Sequence, residues 1–507
     1  MPEAPAHGSL RKSTASGIAW LTAQSLGSRA LGFLSQLVLA WILVPSDFAK
    51  IGLAYTISGI SAAIVGFGIE DVLLHRSRSI SRWAASGFCV SLGLGFVGMF
   101  ITLIAGYVGA AIYDDSSLVT IVQILAIALP IGALSTIPST RLRVAMNFRF
   151  LATYNIAENT LMQIMIIALA ASGAGPYSFA IPVPILAALK AAVYWYNSPR
   201  FSNWRIKSTQ WRYLISNGAA SAGDRLLTES VSQCVVVVLG LLASQTTVGL
   251  YFFAFRLAAQ PVRMMAGNFQ NVVLAALAQL TNEPDRQIEA AYKTARILAF
   301  VVVPVCFLQA ALVRPFLLEF FGTKWQESIP LVQILSLGLP FDAVSWVVVA
   351  LLKSRGQFRL VFLFSLLFAP IFILAVAIGT LMASALGASF AVAICYLTMP
   401  IFLAVMVFRW SKIPASRTLK IFAYPVVVAI PTIGGIYALS LLNVFSANLI
   451  VQGAFISIAG PALYIAAIAF WFPDVIIALG EVLPFRNRFA QSVLRRLSFR
   501  AVSATKG

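Results

Sequence analysis

Apolar residues fill most of this chain in long uninterrupted blocks, broken by short segments that carry the charges or the Gly and Pro residues. Each block is long enough, at 1.5 Å per helical residue, to cross a hydrocarbon core of roughly 30 Å. The pattern predicts spans at 17–44, 50–69, 84–113, 117–140, 151–172, 177–197, 213–243, 247–275, 294–318, 328–352, 360–380, 385–408, 418–442 and 448–473. Two divisions follow from length alone. Residues 360–408 contain no charge, and one helix of that length would run about 73 Å, so the chain must fold back, most simply near Gly379 or Gly387. The uncharged stretch 421–473 splits by the same argument, with its turn near Asn443 to Asn448. The expectation is an all-α membrane protein of about 14 transmembrane helices.

Composition agrees with that class: of 507 residues 60% are hydrophobic and 10% charged, and the mean hydropathy is +0.89. The excess of Lys and Arg over Asp and Glu, 36 to 17, does not mark a nucleic-acid binder, because the basic residues lie between apolar blocks and not in a polar domain. They fall on one side. That side carries Arg11 and Lys12, the group Arg76, Arg78 and Arg82, the group Arg141, Arg143 and Arg149, and the segment Arg200 to Arg212. It continues through Arg286, Lys293 and Arg296, then Lys353, Arg355 and Arg359, then Arg409 to Lys420, and a basic tail ending at Lys506. The opposite side has three, Lys50, Arg314 and Lys324. Basic loops face the cytoplasm, so both termini are expected inside, and a missed or invented span would switch the bias partway along. Met1 to Lys12 is polar and the apolar stretch after it is long enough to span, which reads as a retained first helix and not a cleaved signal. Cys89, Cys234, Cys306 and Cys395 lie inside apolar runs as small core residues, and His7 and His75 fall in the tail and a loop; no metal site or cofactor is suggested.

Sliding the sequence by 197 positions sets Ser35 and Gln36 on Ser232 and Gln233, and Gly52 and Leu53 on Gly249 and Leu250. Two six-helix lobes in a parallel pseudo-repeat follow, with an axis along the membrane normal. The expected organisation is a cytoplasmic tail 1–16, an N-lobe 17–197, a basic linker 198–212, a C-lobe 213–408, two extra spans within 418–473, and a cytoplasmic tail 474–507. In that tail Phe485, Phe489, Val493 and Leu497 recur every four residues among arginines, as in a helix lying on an anionic leaflet.

A charge at mid-bilayer costs at least a few kcal/mol, so charges inside spans carry the most information. Arg29 falls in span 1, Asp224, Arg225 and Glu229 in span 7, and Arg256 and Arg263 in span 8. Arg256, Gln260 and Arg263 are spaced by four and three and share a helical face, where two guanidiniums repel unless an anion or a carboxylate lies between them. The plain alternative is local pairing of Arg225 with Glu229 and of Asp224 with Arg256 or Arg263. Basic residues exceed what those acids neutralise, which points to an anionic ligand in a cavity, with Gln36 and Gln233 beside it. Lys190, nearer the cytoplasmic end of span 6, is read as snorkelling. Glu158, near Asn155, Asn159 and Gln163, and Asp342, just after Pro340, are candidates with Asp224 and Glu229 for coupling to a proton or sodium gradient; each can equally hydrogen-bond a neighbouring helix.

Three segments carry a family resemblance: Ser28 to Phe33 in span 1, Leu43 to Leu53 at the first outer turn, and Phe67 to Glu70 with Leu73 to Arg76 at the end of span 2. They resemble the Wzx-like polysaccharide flippases of the multidrug/oligosaccharidyl-lipid/polysaccharide exporter superfamily, whose members usually have Gly where Ala49 stands. The resemblance implies two six-helix lobes around a cationic cavity that takes an undecaprenyl-diphosphate-linked oligosaccharide from the cytoplasm and releases it outside, with Arg29 as a cavity arginine by matching position. It implies a bacterial inner-membrane protein, not an enzyme, working beside a polysaccharide polymerase or export machinery, with a monomer as the default. The rivals are a flippase for the lipid-linked peptidoglycan precursor, which shares the span 1 motif, and a membrane polysaccharide polymerase, which tends to carry a large outer catalytic loop. A cation exporter would line its cavity with acids, where this chain has surplus arginine.

Overall fold

The computed structural model describes residues 27, 31–65, 69–75, 80–145, 147–198, 208–266, 269–442 and 448–476, and every regular element among them is helical. The helices are α1 (Leu31–Ile42), α2 (Pro45–Val65), α3 (Ile69–His75), α4 (Ile80–Tyr113), α5 (Ser117–Ala133), α6 (Thr136–Val144) and α7 (Phe148–Ala171). They continue as α8 (Tyr177–Ala180), α9 (Pro182–Asn197), α10 (Ser208–Leu242), α11 (Gln245–Ala258), α12 (Gln260–Ala266) and α13 (Phe269–Gln279). The remainder are α14 (Pro284–Phe321), α15 (Ser328–Gly338), α16 (Asp342–Ser354), α17 (Phe358–Trp410), α18 (Ala415–Ala429), α19 (Gly435–Ser440) and α20 (Leu449–Trp471). Among the described residues seven helical stretches are long and apolar enough to cross a membrane, or eight if α5 and α6, bent by 43°, form one span. The turn expected at Asn443 to Asn448 and the amphipathic tail fall almost wholly outside the described residues.

The chain divides into two compact units, Met1–Phe253 with Ala369–Ala385, and Ala254–Phe368 with Leu386–Gly507. In the first, α4 shows the inverted pattern of a lipid-facing helix. Its buried residues are small, among them Gly95, Gly98, Thr102, Gly106 and Gly109 at spacings of three and four, while Phe100, Ile104 and Tyr107 are exposed. A Cβ at Gly106 would stand 2.7 Å from Val122 of α5, so glycine is what lets the two helices approach. Below, α3 wedges Val72 and Leu73 against Ala84, Ile137 and Leu214. In the second unit α14 is the post against which α15, α16, α18 and α20 pack.

Helix α17 carries the expected fold-back, in the gap expected between spans 360–380 and 385–408. Ala383 (φ −148°, ψ 31°) and Ser384 (φ 51°, ψ −131°) interrupt its helical geometry, between Gly379 and Gly387 and at neither glycine. The two arms run side by side, since the Phe364 and Phe402 rings stack 6.3 Å apart; in one continuous helix they would be about 57 Å apart.

Three prolines leave carbonyls that side chains of other helices satisfy. A proline removes the N–H that would reach the carbonyl four residues back, and in lipid that carbonyl must find another donor. Pro138 frees Leu134 O, which accepts from Trp195 Nε1 at 2.9 Å. Pro304, inside α14, frees Phe300 O, which accepts from the Tyr464 hydroxyl at 3.2 Å. Pro261 frees Leu257 O, which accepts from Gln309 Nε2 at 2.8 Å.

The turn from α1 to α2 has a counterpart between α10 and α11. Leu43 N donates to Leu39 O and Ala243 N to Leu239 O, while Phe48 N donates to Val44 O and Val248 N to Ser244 O. The structural offset is therefore 200, three residues from the ungapped slide of 197, which absorbs almost a helical turn between the matched motifs. Counterparts touch one another: a Cβ at Gly249 would meet Ala49 N at 3.0 Å and collide with the Pro45 carbonyl, and one at Gly52 would meet the Phe252 ring at 3.0 Å. Close approach at this crossing falls on Gly249 and leaves Ala49, inside α2 and fully buried, without strain.

Candidate functional site

Arg29 lies outside the described residues, and Asp224 and Arg225 lie within α10 with side chains that are not described. What remains of the proposed cavity set is found in three places. On α1, Gln36 is 2% exposed, and neither its amide nitrogen nor its amide oxygen makes a hydrogen bond; the Ser35 hydroxyl beside it is likewise buried and unpartnered. A buried carboxamide without partners costs about 1–3 kcal/mol. On α10, Gln233 donates through Nε2 to Glu229 Oε1 at 2.8 Å and accepts at Oε1 from the Thr56 hydroxyl of α2 at 3.1 Å. Gly59 of α2 leaves room for that carboxylate, whose Oε1 is 3.1 Å from where a Cβ would be. Glu229 is thus held by Gln233 across α2 and α10.

Arg256, Gln260 and Arg263 lie in the second unit on either side of Ala259. Ala259 N donates to Phe255 O at 2.9 Å and Arg263 N to Ala259 O at 3.0 Å, so helical pairing runs through the boundary of α11 and α12 and keeps the three on one face. Arg256 is half-buried and Arg263 exposed. Beneath them, Gln309 holds Leu257 O with its amide nitrogen and accepts from the Ser336 hydroxyl at 3.1 Å, tying α11 to α14 and α15. Neither Gln309 nor Ser336 stands out in the sequence; Pro261, with its orphaned carbonyl, is the signal that a donor is needed.

The remaining acids have nearer partners. Asp342, half-buried at the start of α16, accepts from the Ser345 hydroxyl at 2.8 Å and from Trp346 Nε1 at 3.1 Å, both on its own helix. Glu158 of α7 pairs with Lys190 of α9, Nζ to Oε2, at 3.0 Å. Lys190 therefore does not snorkel away: it turns back to a carboxylate within reach, 5.7 Å from the Tyr194 ring centre.

A polar knot at the ends of the first spans was also missed. Lys50 of α2 lies 3.2 Å from Asp115 Oδ2 and donates to Ser117 Oγ at 2.8 Å, and Ser117 donates on to Asp115 Oδ1 at 2.6 Å. Gln245, opening α11, donates to Tyr113 O at 3.3 Å. Burial alone would raise the Asp115 carboxyl, but its bonds from Ser117 and the Lys50 ammonium outweigh it and hold the group below the ordinary carboxylate value.

These helices, their broken spans and their inward-turned polar residues define a multi-pass membrane protein, and solved structures give its fold class. The chain is similar to a structure of the lipid II flippase MurJ, inward closed conformation, with a TM-score of 0.72, 15% identity, and 90% of this chain and 99% of that one covered. It is also similar to an inward-facing multidrug resistance MATE family transporter of the MOP superfamily, with a TM-score of 0.56, 15% identity, and 78% and 96% covered. The fold is that of the MOP exporters. The family described as "Polysaccharide biosynthesis protein" matches residues 38–330, more than half of the chain, and the chain belongs to it. Among its curated relatives are the succinoglycan biosynthesis transport protein ExoT of Rhizobium meliloti (strain 1021), 22% identical over 420 residues with 83% of this chain and 85% of the relative covered. Another is the lipopolysaccharide biosynthesis protein WzxC of Escherichia coli (strain K12), 21% identical over 392 residues, with 75% and 77% covered.

Proposed function

We propose that this protein moves an undecaprenyl-diphosphate-linked oligosaccharide repeat unit across the bacterial inner membrane for exopolysaccharide, capsule or O-antigen synthesis. Membership of the polysaccharide biosynthesis family carries the reading, and near full-length similarity to a transport protein of succinoglycan biosynthesis supports it. In this reading 14 spans cross the membrane with both termini in the cytoplasm, six-helix lobes at 17–197 and 213–408 rock against one another, and spans in 418–473 are an appendage. Arginine suits the task, because the diphosphate is an anion crossing a low-dielectric core and a guanidinium offers planar paired donors to phosphate. Arg29, Arg225, Arg256 and Arg263 are the proposed ligands, with Gln36, Gln233 and Gln260 beside them. Asp342, Glu229, Asp224 and Glu158 are the positions at which a proton or sodium gradient would couple. The polymerase or export machinery of the same pathway is the expected partner of a monomer.

Complementation tests it. Deletion of the gene in its host is expected to abolish surface polymer and to leave completed lipid-linked units in the inner leaflet; wild type restores export, and Arg256→Ala or Arg263→Ala, expressed normally, does not. Completed units that reach the outer leaflet in the deletion strain would falsify the flippase reading.

A further inference from the structure

The diphosphate is common to every lipid-linked cargo, so a transporter that reads its sugars needs groups suited to neutral hydroxyls. Carboxamides are such groups, offering two donors and an acceptor without charge. Helix α7 carries them at Asn155, Asn159 and Gln163, one helical turn apart in a segment otherwise largely apolar, and Asn159 is exposed. The arc is electrically neutral, because its one acid, Glu158, is paired with Lys190. Gln163 faces α1: its Nε2 is 3.9 Å from where a Cβ of Gly32 would stand. Gln36 is one turn beyond Gly32 on that face, and it is the side chain whose donors and acceptor are all unused although it is 2% exposed. At the foot of α7 the buried Tyr154 hydroxyl is likewise without a hydrogen bond. Native proteins seldom bury a polar group unpaired, and a protein that cycles between states can keep one for a ligand that arrives in another state.

We propose that the polar arc of α7, with Gln36 of α1 at its edge, reads the sugar hydroxyls of the cargo, while the arginines hold its diphosphate. The inference rests on the flippase reading above. It sets Gln36 apart from a packing residue: the carboxamide lowers the stability of the resting protein and gains its partners only from cargo.

The test reconstitutes the full chain in liposomes and compares two probes, the undecaprenyl diphosphate bearing the complete repeat unit and the same lipid bearing one sugar. Gln36→Met keeps the shape and removes the amide, and Asn159→Leu removes a side chain whose hydrogen bond goes to its own helix, to Asn155 O at 2.8 Å. Asn159→Leu is expected to slow the complete unit about tenfold, the worth of one or two hydrogen bonds, while the single-sugar probe stays within about twofold; Gln36→Met, which also lies beside the proposed diphosphate ligands, is expected to slow the complete unit at least as much. Gln36→Met is also expected to melt at or above the wild-type temperature. Equal slowing of both probes by Asn159→Leu, no slowing of the complete unit by either variant, or a lower melting temperature for Gln36→Met would each overturn the assignment. If the wild type moves neither probe, the flippase reading itself fails and this inference goes with it.

Discussion

Asp115 shows how a charge acquires a meaning that its position in the chain does not give. In the sequence Lys50 is a stray positive charge on the side with few; in the structure it is clamped to Asp115 and Ser117, with the two charged side chains 26% and 13% exposed. The carboxyl is held below its ordinary value of 3.8, so the clamp contributes fully above that value and is lost only as pH falls through the lower, folded value. Asp115→Asn is therefore expected to cost about 1–2 kcal/mol of stability at pH 7. In thermal melts of the detergent-solubilised protein the gap to wild type should be flat from pH 8 to 5 and close only in stronger acid; a gap that changes near neutrality would assign the effect to another group. Glu158 and Lys190 make the complementary case, a pair placed inside the spans. Removing one partner, as in Lys190→Met, leaves a half-buried charge and is expected to cost about 1–3 kcal/mol. The double variant with Glu158→Gln should recover part of that loss, and simple additivity of the two single variants would show that the pair is not coupled. Lys50, Lys190 and Glu158 stand out in the sequence and Asp115 does not. Neither pairing was legible, because a partner tens of residues away is chosen by helix packing and periodicity says nothing about which helices adjoin.

At the scale of helices the three proline carbonyls obey one rule that can be tested directly. Gln309→Met leaves Leu257 O with neither a backbone nor a side-chain donor in a low-dielectric interior, an expected loss of about 1–3 kcal/mol. Pro261→Ala supplies the missing N–H, so in that background Gln309→Met should cost well under half as much. Equal costs in both backgrounds would mean that Gln309 acts through Ser336 and not through the carbonyl. The break in α17 yields a second expectation. Ser384 holds a φ of 51° that side chains disfavour, and Ser384→Gly should raise stability by about 1 kcal/mol if the turn persists, whereas a straightened turn would make the glycine destabilising. Helix positions were legible because lipid demands long apolar runs, and the fold-back of α17 was forced by length alone. The break at Ala383 and Ser384 falls in the gap 381–384 left between the two expected spans, although neither flanking glycine, Gly379 or Gly387, is itself the residue that turns. Nor does hydropathy show the 43° bend between α5 and α6, because a bent helix is as apolar as a straight one.

For the molecule as a whole, the sidedness of α17 decides more than any other single element. Its uncharged stretch is flanked by Lys353, Arg355 and Arg359 on one end and Arg409 and Lys412 on the other. Its two arms lie side by side, with Phe364 against Phe402. Basic flanks favour the cytoplasm and the arms are each long enough to cross, so the Ala383–Ser384 tip should lie outside. Elsewhere, the α1–α2 and α10–α11 turns share hydrogen bonds at an offset of 200 and so place two helical pairs in like geometry. The ungapped slide of 197 differs from that offset by three residues: two matched dipeptides cannot fix an offset to better than a helical turn, whereas backbone hydrogen bonds can. In a variant lacking its four native cysteines, Ser384→Cys is expected to react with a membrane-impermeant maleimide in spheroplasts. Lys412→Cys should react only after the membrane is opened. Labelling of both from the same side would remove one crossing, reverse the orientation of every span after it, and place the C-terminal tail outside, where its arginines would meet no anionic inner leaflet.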